Sequence, residues 1–301
     1  METEVSKNKV SVIVFTYNSS SYLVQTLDSI KSQTYKNIEL IISDDGSSDD
    51  TLAISKDWVS KNGERFCRTK ILSVSKNTGV SANCIRGTTE ANGEWIKLLA
   101  GDDILEEKCI ETFLEISLAK KSAVLISNLQ CFTSTAQYDY VNLDISENNF
   151  FSLSLDEKLE YYIMNPFFLN VPSIFFNRSI LEIPNLFNPK YRLLEDQPMF
   201  YKILQSKIDI HFADVKLVNY RIHDSSITGK INPAFQKALY DCYKEFRKPY
   251  IANNMKGILF KRLTELAFYV NINFSNFSFR DRAIRKIHNT FKNSFKPFIK
   301  Y

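Results

Sequence analysis

The sequence predicts an α/β fold: a mostly parallel central sheet flanked by helices, followed by a helical C-terminal extension. Three observations predict it. Strand-like apolar runs and helix-like segments alternate four times within the first 105 residues, the pattern of a layered α/β architecture. The first run, Val10 to Phe15, is β-branched or aromatic almost throughout, as in a parallel strand buried on both faces. The turns after three of the strands are polar, and in open α/β sheets ligands collect beyond the carboxyl ends of the strands.

The elements follow in order. After Val10 to Phe15 comes the turn Thr16-Tyr17-Asn18, a serine cluster, and a helix marked by Leu23, Leu27 and Ile30 at i, i+4 and i+7. Ile38 to Ile42 is a second strand, Asp44 to Asp49 a turn with helix-cap chemistry, and Leu52 to Val59 a helix stopped near Gly63. Lys70 to Val74 and Trp95 to Leu99 read as strands around a helix from Val80 to Ala91. Gly101-Asp102-Asp103 is the next polar turn, with a helix expected to begin near Leu105; Ile110, Phe113, Leu114 and Ser117 carry its apolar face. Val124 to Ile126 is strand-like, and Gln137 to Asn149 is polar enough for a mobile loop. Leu155 to Met164 reads as helix, Val171 to Phe176 as strand, Leu193 to Ile203 as helix and Val215 to Ile222 as strand, and the chain beyond Pro233 as mostly helical.

Composition bounds the function. A chain of 301 residues with 44% hydrophobic content can bury a full core. Its formal charge of +4 is mild and by itself argues neither for nor against nucleic acid; no nucleic-acid partner is expected. The charge is uneven: Arg280 to Tyr301 carries seven basic residues against one acid, Asp281. Five widely spaced cysteines without a C-x-x-C pair argue against a disulfide framework or a zinc knuckle and fit a reducing compartment. No signal peptide and no 18-residue apolar stretch are legible, so the cytoplasm is the expected location.

The first loop contains no glycine, which disfavours dinucleotide binding, P-loop chemistry and the glycine-rich entry of nucleotidyltransferases. Ligand recognition then falls to the Tyr, Asn and Asp side chains of the strand-exit turns. The doublet Asp102-Asp103 is the most suggestive pair, because adjacent carboxylates at a strand exit suit a hard divalent cation shared with a phosphate-bearing substrate; a helix cap explains the same residues.

Seven segments, taken together, resemble glycosyltransferase family 2: VSVIVFTYN at 10–18, IELIISDDGSSDDT at 38–51, NTGVSANCIRG at 77–87, GEWIKLLAGDD at 93–103, PSIFFNRSILE at 172–182, LLEDQPMFYKIL at 193–204 and VNYRIHDSSIT at 218–228. They occur in family order over about three quarters of the chain. The resemblance implies a GT-A (Rossmann-like) fold and an inverting, metal-dependent transferase taking a sugar from a nucleotide sugar, most simply a UDP-sugar. By that resemblance Thr16, Tyr17 and Asn18 line the nucleotide pocket, and Asp45 accepts a hydrogen bond from the base, with Asp44 structuring the turn or standing in for it. Asn83 or Arg86 contacts the base or donor sugar. The resemblance gives Asp103 to the Mn2+ or Mg2+ ion, Asp102 to the ribose or sugar with a share in the metal, and His223 to the metal or diphosphate. A glycine at position 101 breaks the strict D-x-D spacing.

The same resemblance makes Asp196, in the pair Glu195-Asp196, the base that takes the acceptor proton; a capped helix start before Pro198 accounts for the pair equally well. It divides the chain into a nucleotide-sugar half at 1–105, an acceptor half at 106–228 and a helical basic extension at 229–301. The acceptor it implies is a glycan or a polyprenyl-diphosphate-linked oligosaccharide, as in assembly of bacterial surface polysaccharide. In the extension Ile284, Ile287, Phe291, Phe295 and Phe298 recur at helical spacing among basic residues. Such a stripe either rests on anionic membrane, peripheral to its inner face, or packs on the catalytic domain.

Overall fold

The computed structural model describes residues 7–133, 137–139, 149–166, 169–223, 232–251 and 255–273. Its centre is a mixed sheet in the hydrogen-bonding order β3-β2-β1-β4-β8-β6-β9-β5, with β7 added on β6. The strands are β1 (Val10–Thr16), β2 (Ile38–Asp44), β3 (Arg68–Ser73), β4 (Trp95–Ala100), β5 (Ile104–Leu105), β6 (Val124–Phe132), β7 (Gln137–Asp139), β8 (Ile174–Asn177) and β9 (His211–Arg221). The helices are α1 (Leu23–Lys31), α2 (Thr51–Asn62), α3 (Val80–Thr89), α4 (Cys109–Lys120), α5 (Leu155–Met164), α6 (Asp196–Gln205), α7 (Pro233–Cys242) and α8 (Met255–Asn273).

The first four strands form the expected parallel half, β1 pairing in parallel with both β2 and β4, and β2 with β3. Val10, Val12, Ile13 and Val14 of β1 and every residue of β2 are buried, the signature of strands covered on both faces. Beyond β4 the directions mix. β8 is antiparallel to β4 and β6, and β9 is parallel to β6 and antiparallel to β5. One hydrophobic core runs through the molecule from Val10 to Phe246, so the two halves of the sheet share their packing.

Two local expectations give way to tertiary pairing. Ile104 and Leu105 do not open a helix but form β5, opposite Asn219 and Val218, and α4 starts only at Cys109. Of the segment Gln137 to Asn149, expected as a mobile loop, Gln137–Asp139 form β7, which pairs with the end of β6, while residues 140–148 lie outside the described residues. A two-residue strand carries no periodic signal of its own; its existence depends on β9 arriving beside it.

β5 also forces the sheet to curl. It follows β4 after three residues yet lies four places away in strand order. Four interstrand spacings in a flat sheet amount to about 19 Å, whereas the links from Ala100 to Ile104 reach about 14 Å at most. Curling brings the carboxyl end of β9 onto the turn that leaves β4.

The amphipathic stripe expected from Ile284 to Phe298 lies outside the described residues. Among the described residues no helix is long and apolar enough to cross a membrane.

Candidate active site

The exits of β1 and β2 are locked together. Thr16, buried, donates from Oγ1 to Asp44 Oδ1 at 2.9 Å, and its carbonyl accepts the Asp45 amide at 2.9 Å. Asp44 also accepts from the Ser47 hydroxyl at 2.5 Å and the Ser47 amide at 3.0 Å. Asp44 is therefore a turn-structuring carboxylate. Asn18 sits in the left-handed region at φ 52°, donating from its amide to Ser47 Oγ at 2.8 Å and accepting the Ser48 amide at 2.8 Å. Tyr17, between them, is pushed outward and stays 51% exposed. Its ring is a free aromatic face at the mouth of the sheet.

Asp45 turns inward. Its carboxylate accepts the Thr78 hydroxyl at 2.5 Å, the Thr78 amide at 3.0 Å, the Gly79 amide at 2.7 Å and Arg86 Nη2 at 2.9 Å. Burial raises its pKa, but these donors outweigh burial and hold the carboxyl below its ordinary range. Gly79, at φ 97°, supplies a conformation that a side chain would resist. Asn83 faces the sheet, with Oδ1 accepting from Ser43 Oγ at 2.6 Å and from Arg86 Nη2 at 2.9 Å, and Nδ2 donating to the Ser43 carbonyl at 3.0 Å. Its amide group is thus spent on internal bonds, and of the two residues expected to reach a ligand only Arg86 keeps an exposed edge.

The turn after β4 places the two acids of the doublet in different environments. Asp103 is fully buried, its Oδ1 accepting the Arg221 amide at 3.0 Å and its Oδ2 without a partner. Burial, reinforced by the Asp102 charge, raises its pKa well above the carboxylate range. Asp102 reaches the open side, with Oδ2 2.9 Å from His223 Nε2. The residue expected to hold the ion is the enclosed one, and the residue expected on the sugar is the accessible one; strand register at β5 decides this. Gly101 has a steric reason to be glycine. A Cβ there would come within 2.9 Å of Thr16 Cγ2 and 3.0 Å of Ser19 Oγ, so the first carboxylate of a strict D-x-D would require both side chains to give way.

Arg221 fastens this corner, and nothing in its local sequence singles it out. Its Nε donates to the Asp102 carbonyl at 2.8 Å and its Nη2 to Gln25 Oε1 at 2.6 Å. The guanidinium lies over both Tyr22 and Phe132, 4.6 and 4.4 Å from the ring centroids. Tyr22 also packs against the His223 ring, with centroids 4.9 Å apart. Thr78 and Gly79, the partners of Asp45, are the other residues that sequence reasoning missed.

Glu195 and Asp196 open α6. Among the described residues, backbone amides alone donate to the Asp196 carboxylate, with Gln197 N 2.6 Å from Oδ1. Burial pushes Asp196 up to about 6, and burial together with the neighbouring Asp196 charge pushes Glu195 up to about 8. The pair therefore shares one proton near neutrality. Glu195, Asp196 and Asp45 all raise the pKa of the buried Cys84 thiol, after burial itself.

Asp102 Oδ2 and His223 Nε2 have the chemistry of divalent-cation ligands, and in this structure they bond to each other. Cis ligands about 2.1 Å from an octahedral ion lie about 3 Å apart, close to the 2.9 Å between Asp102 Oδ2 and His223 Nε2. The unpartnered Oδ2 of Asp103 is enclosed, and burial pushes that carboxyl toward its protonated form. Among the described residues no cluster of three or more His, Cys, Asp or Glu side chains is assembled for an ion, so the remaining positions would fall to substrate oxygens and water.

Known proteins resemble the chain throughout this region. Residues 11–181 match the family described as Glycosyl transferase family 2. Glycosyltransferase GlyG of Streptococcus pneumoniae serotype 4 is 28% identical over 259 residues, 77% of this chain and 80% of that protein. The structure of S. aureus TarS 1–349 in complex with UDP-GlcNAc superposes with a TM-score of 0.62 at 19% identity, covering 89% of this chain and 74% of that one. Against the longer TarS chain the match spans 44% of its length. The mannosyltransferase PcManGT from Pyrobaculum calidifontis, in complex with GDP-Man and Mn2+, gives a TM-score of 0.57 at 15% identity over 79% of this chain and 64% of that one.

Proposed function

The chain belongs to glycosyl transferase family 2 and has its GT-A fold, and from that premise we propose that it is an inverting, metal-dependent transferase acting on a UDP-sugar. The observation that carries the reading is the convergence of three strand-exit turns and the α6 acid pair on one end of the sheet. We assign Asp45 to the base, Asp102 with His223 to the diphosphate and Asp196 to the acceptor hydroxyl. The UDP and UDP-GlcNAc complexes of TarS support a uridine nucleotide, and the GDP-Man complex of PcManGT makes guanosine the alternative.

In this reading the exposed Tyr17 ring stacks on the base. Asp45 has its oxygens filled by Thr78, Gly79 and Arg86; an imide N–H reaches it by displacing one of the two side-chain donors, the Thr78 hydroxyl or the Arg86 guanidinium, which can rotate away. Thr16, Asn18, Asp44 and Asn83 shape the pocket through the exits of β1 and β2. Arg86 offers its exposed edge to the donor. Asp102 and His223 would hold Mn2+ or Mg2+, with Asp103 behind them. The ion would supply a positive charge to the diphosphate oxygens as the leaving group departs.

Asp196 in its ionised form accepts the proton of the acceptor hydroxyl. The acceptor oxygen forms its bond to the anomeric carbon while the bond from that carbon to the diphosphate oxygen breaks, and the electron pair leaves with the nucleoside diphosphate. One displacement inverts the anomeric centre, and no nucleophile on the protein is needed. Glu195, kept protonated by the shared charge, leaves Asp196 as the base. Residues 1–105 form the donor half, 106–228 the acceptor half, and 229–301 the extension.

The acceptor we propose is a glycan or a polyprenyl-diphosphate-linked oligosaccharide. The basic segment 280–301 holds the enzyme on the inner face of the membrane, and the five free cysteines suit a cytoplasmic setting. The test is product analysis: incubation with UDP-sugars, Mn2+ and lipid-linked acceptors is expected to release free UDP. Release of pyrophosphate instead would replace transfer with nucleotidyl chemistry.

A further inference from the structure

The loop that carries the partners of Asp45 is also the floor on which the strap leading to the acid pair rests. Thr78 and Gly79 hold Asp45 from one side. From the other side Arg192, three residues before Glu195, donates from Nη2 to the Asn77 carbonyl at 2.8 Å and to Asn77 Oδ1 at 2.9 Å. The contact is close along its length. A Cβ on Gly79 would fall 2.2 Å from Arg192 Cγ and 2.4 Å from its carbonyl oxygen. Two residues further on, the Ser81 hydroxyl donates to the Tyr191 carbonyl at 2.7 Å. Glu245 anchors the far side of the strap by accepting from the Tyr191 hydroxyl at 2.6 Å.

The strap 191–195 thus has its nucleotide-facing side fixed on residues 77–81 and its other side on the C-terminal helical region. Any adjustment of Thr78 on nucleotide binding is passed to the backbone that positions Asp196, because Asn77 and Gly79 flank Thr78 and both meet Arg192. We infer that Arg192 is a positioning residue that couples occupancy of the nucleotide loop to the placement of Asp196. The inference rests on the reading of Asp45 and Thr78 as the nucleotide side of the site. It gives donor binding a consequence at the acceptor side, so that the base is set in place when a donor is present.

Hydrogen exchange on the full chain, read by mass spectrometry with and without UDP and Mn2+, tests it. In the wild type UDP is expected to slow exchange in residues 76–83 and, by about fivefold, in residues 191–200. In Arg192→Ala, UDP affinity is expected to stay within about threefold and residues 76–83 to respond as before, while the response of 191–200 disappears. Arg192→Lys, which keeps one donor toward Asn77, is expected to restore part of it. A wild-type response confined to 76–83 would overturn the coupling, as would a response of 191–200 that survives in Arg192→Ala. A loss of UDP affinity beyond about tenfold would make Arg192 a donor ligand and overturn its role as a positioning residue. If neither segment responds in the wild type, the nucleotide reading fails, and the coupling with it.

Discussion

Asp196→Asn separates catalysis from structure at the proposed base. The asparagine keeps an oxygen for the Gln197 amide, which Asp196 Oδ1 accepts at 2.6 Å, so the start of α6 survives. What disappears is the proton acceptor, and general-base catalysis contributes about 10²- to 10⁴-fold, or about 2.7–5.4 kcal/mol at the transition state. The wild-type pH profile carries a second signature. A base pushed up to about 6 from an ordinary 3.8 is about 9% ionised at pH 5 and about 91% at pH 7, so kcat/KM should climb about tenfold across that interval. An unperturbed aspartate would give about 1.1-fold over the same range. Because burial raises the folded-state pKa, the stability that the group contributes is present below its unfolded pKa and is lost as the pH rises through its folded one. Asp196→Asn should therefore be no less stable than the wild type at pH 5 and relatively more stable at pH 8. The assay is UDP release from an accepted donor between pH 5 and 8, with thermal unfolding of the same samples. A wild-type profile flat from pH 5 to 7, or an Asp196→Asn loss below tenfold, would refute the assignment.

Three further outcomes test the rest of the site. Asp102→Asn and His223→Ala should each weaken the Mn2+ enhancement of UDP binding by about tenfold or more, whereas Asp103→Asn, which keeps an acceptor for the Arg221 amide, should cost less; calorimetric titration of UDP with and without Mn2+ ranks the three. Gly101→Asp, which would write a strict D-x-D into the chain, should lower the Tm by about 3–10 °C and gain no metal affinity, since its Cβ meets Thr16 and Ser19; an unchanged Tm with tighter Mn2+ binding would contradict the packing argument. Glu39→Gln is the structural control. Glu39 is buried and accepts from Ser11 Oγ, the Asn92 amide and Arg68, and these bonds hold it below its ordinary pKa although burial pushes the other way. The substitution should cost about 3 kcal/mol with UDP affinity intact; the deficit, measured by urea unfolding, should hold above the unfolded carboxylate range and shrink as the pH falls through the folded-state pKa.

The parallel half of the sheet was legible because Val10 to Phe15 and Ile38 to Ile42 are buried on both faces, and continuous apolar runs announce that burial. The turns at Thr16, Asp44 and Gly101 were legible for the same reason, being the polar residues at the ends of those runs. Their internal arrangement was not. Whether Asp102 or Asp103 faces outward depends on β5 pairing with β9, a contact 113 residues away at Leu105 and Val218. Whether Asn83 meets a ligand or the Ser43 carbonyl depends on how α3 lies on β2. Arg221 and Arg192 act through partners more than 100 residues distant in sequence, and no local pattern marks such residues. Side-chain chemistry predicts which residues can serve; long-range register selects the ones that do.

The most direct measurement is a thermal-shift series with UDP-sugars and GDP-sugars, each with and without Mn2+, on the wild type and on Asp102→Asn. At a donor concentration 100-fold above its Kd, mass action adds about 2.7 kcal/mol of stability. The wild type should therefore gain several degrees with at least one UDP-sugar, more with Mn2+ than without, and Asp102→Asn should lose the Mn2+-dependent part. A flat response to every nucleotide sugar, or a shift that Mn2+ and Asp102→Asn leave unchanged, would contradict a metal-assisted nucleotide-sugar site at this end of the sheet.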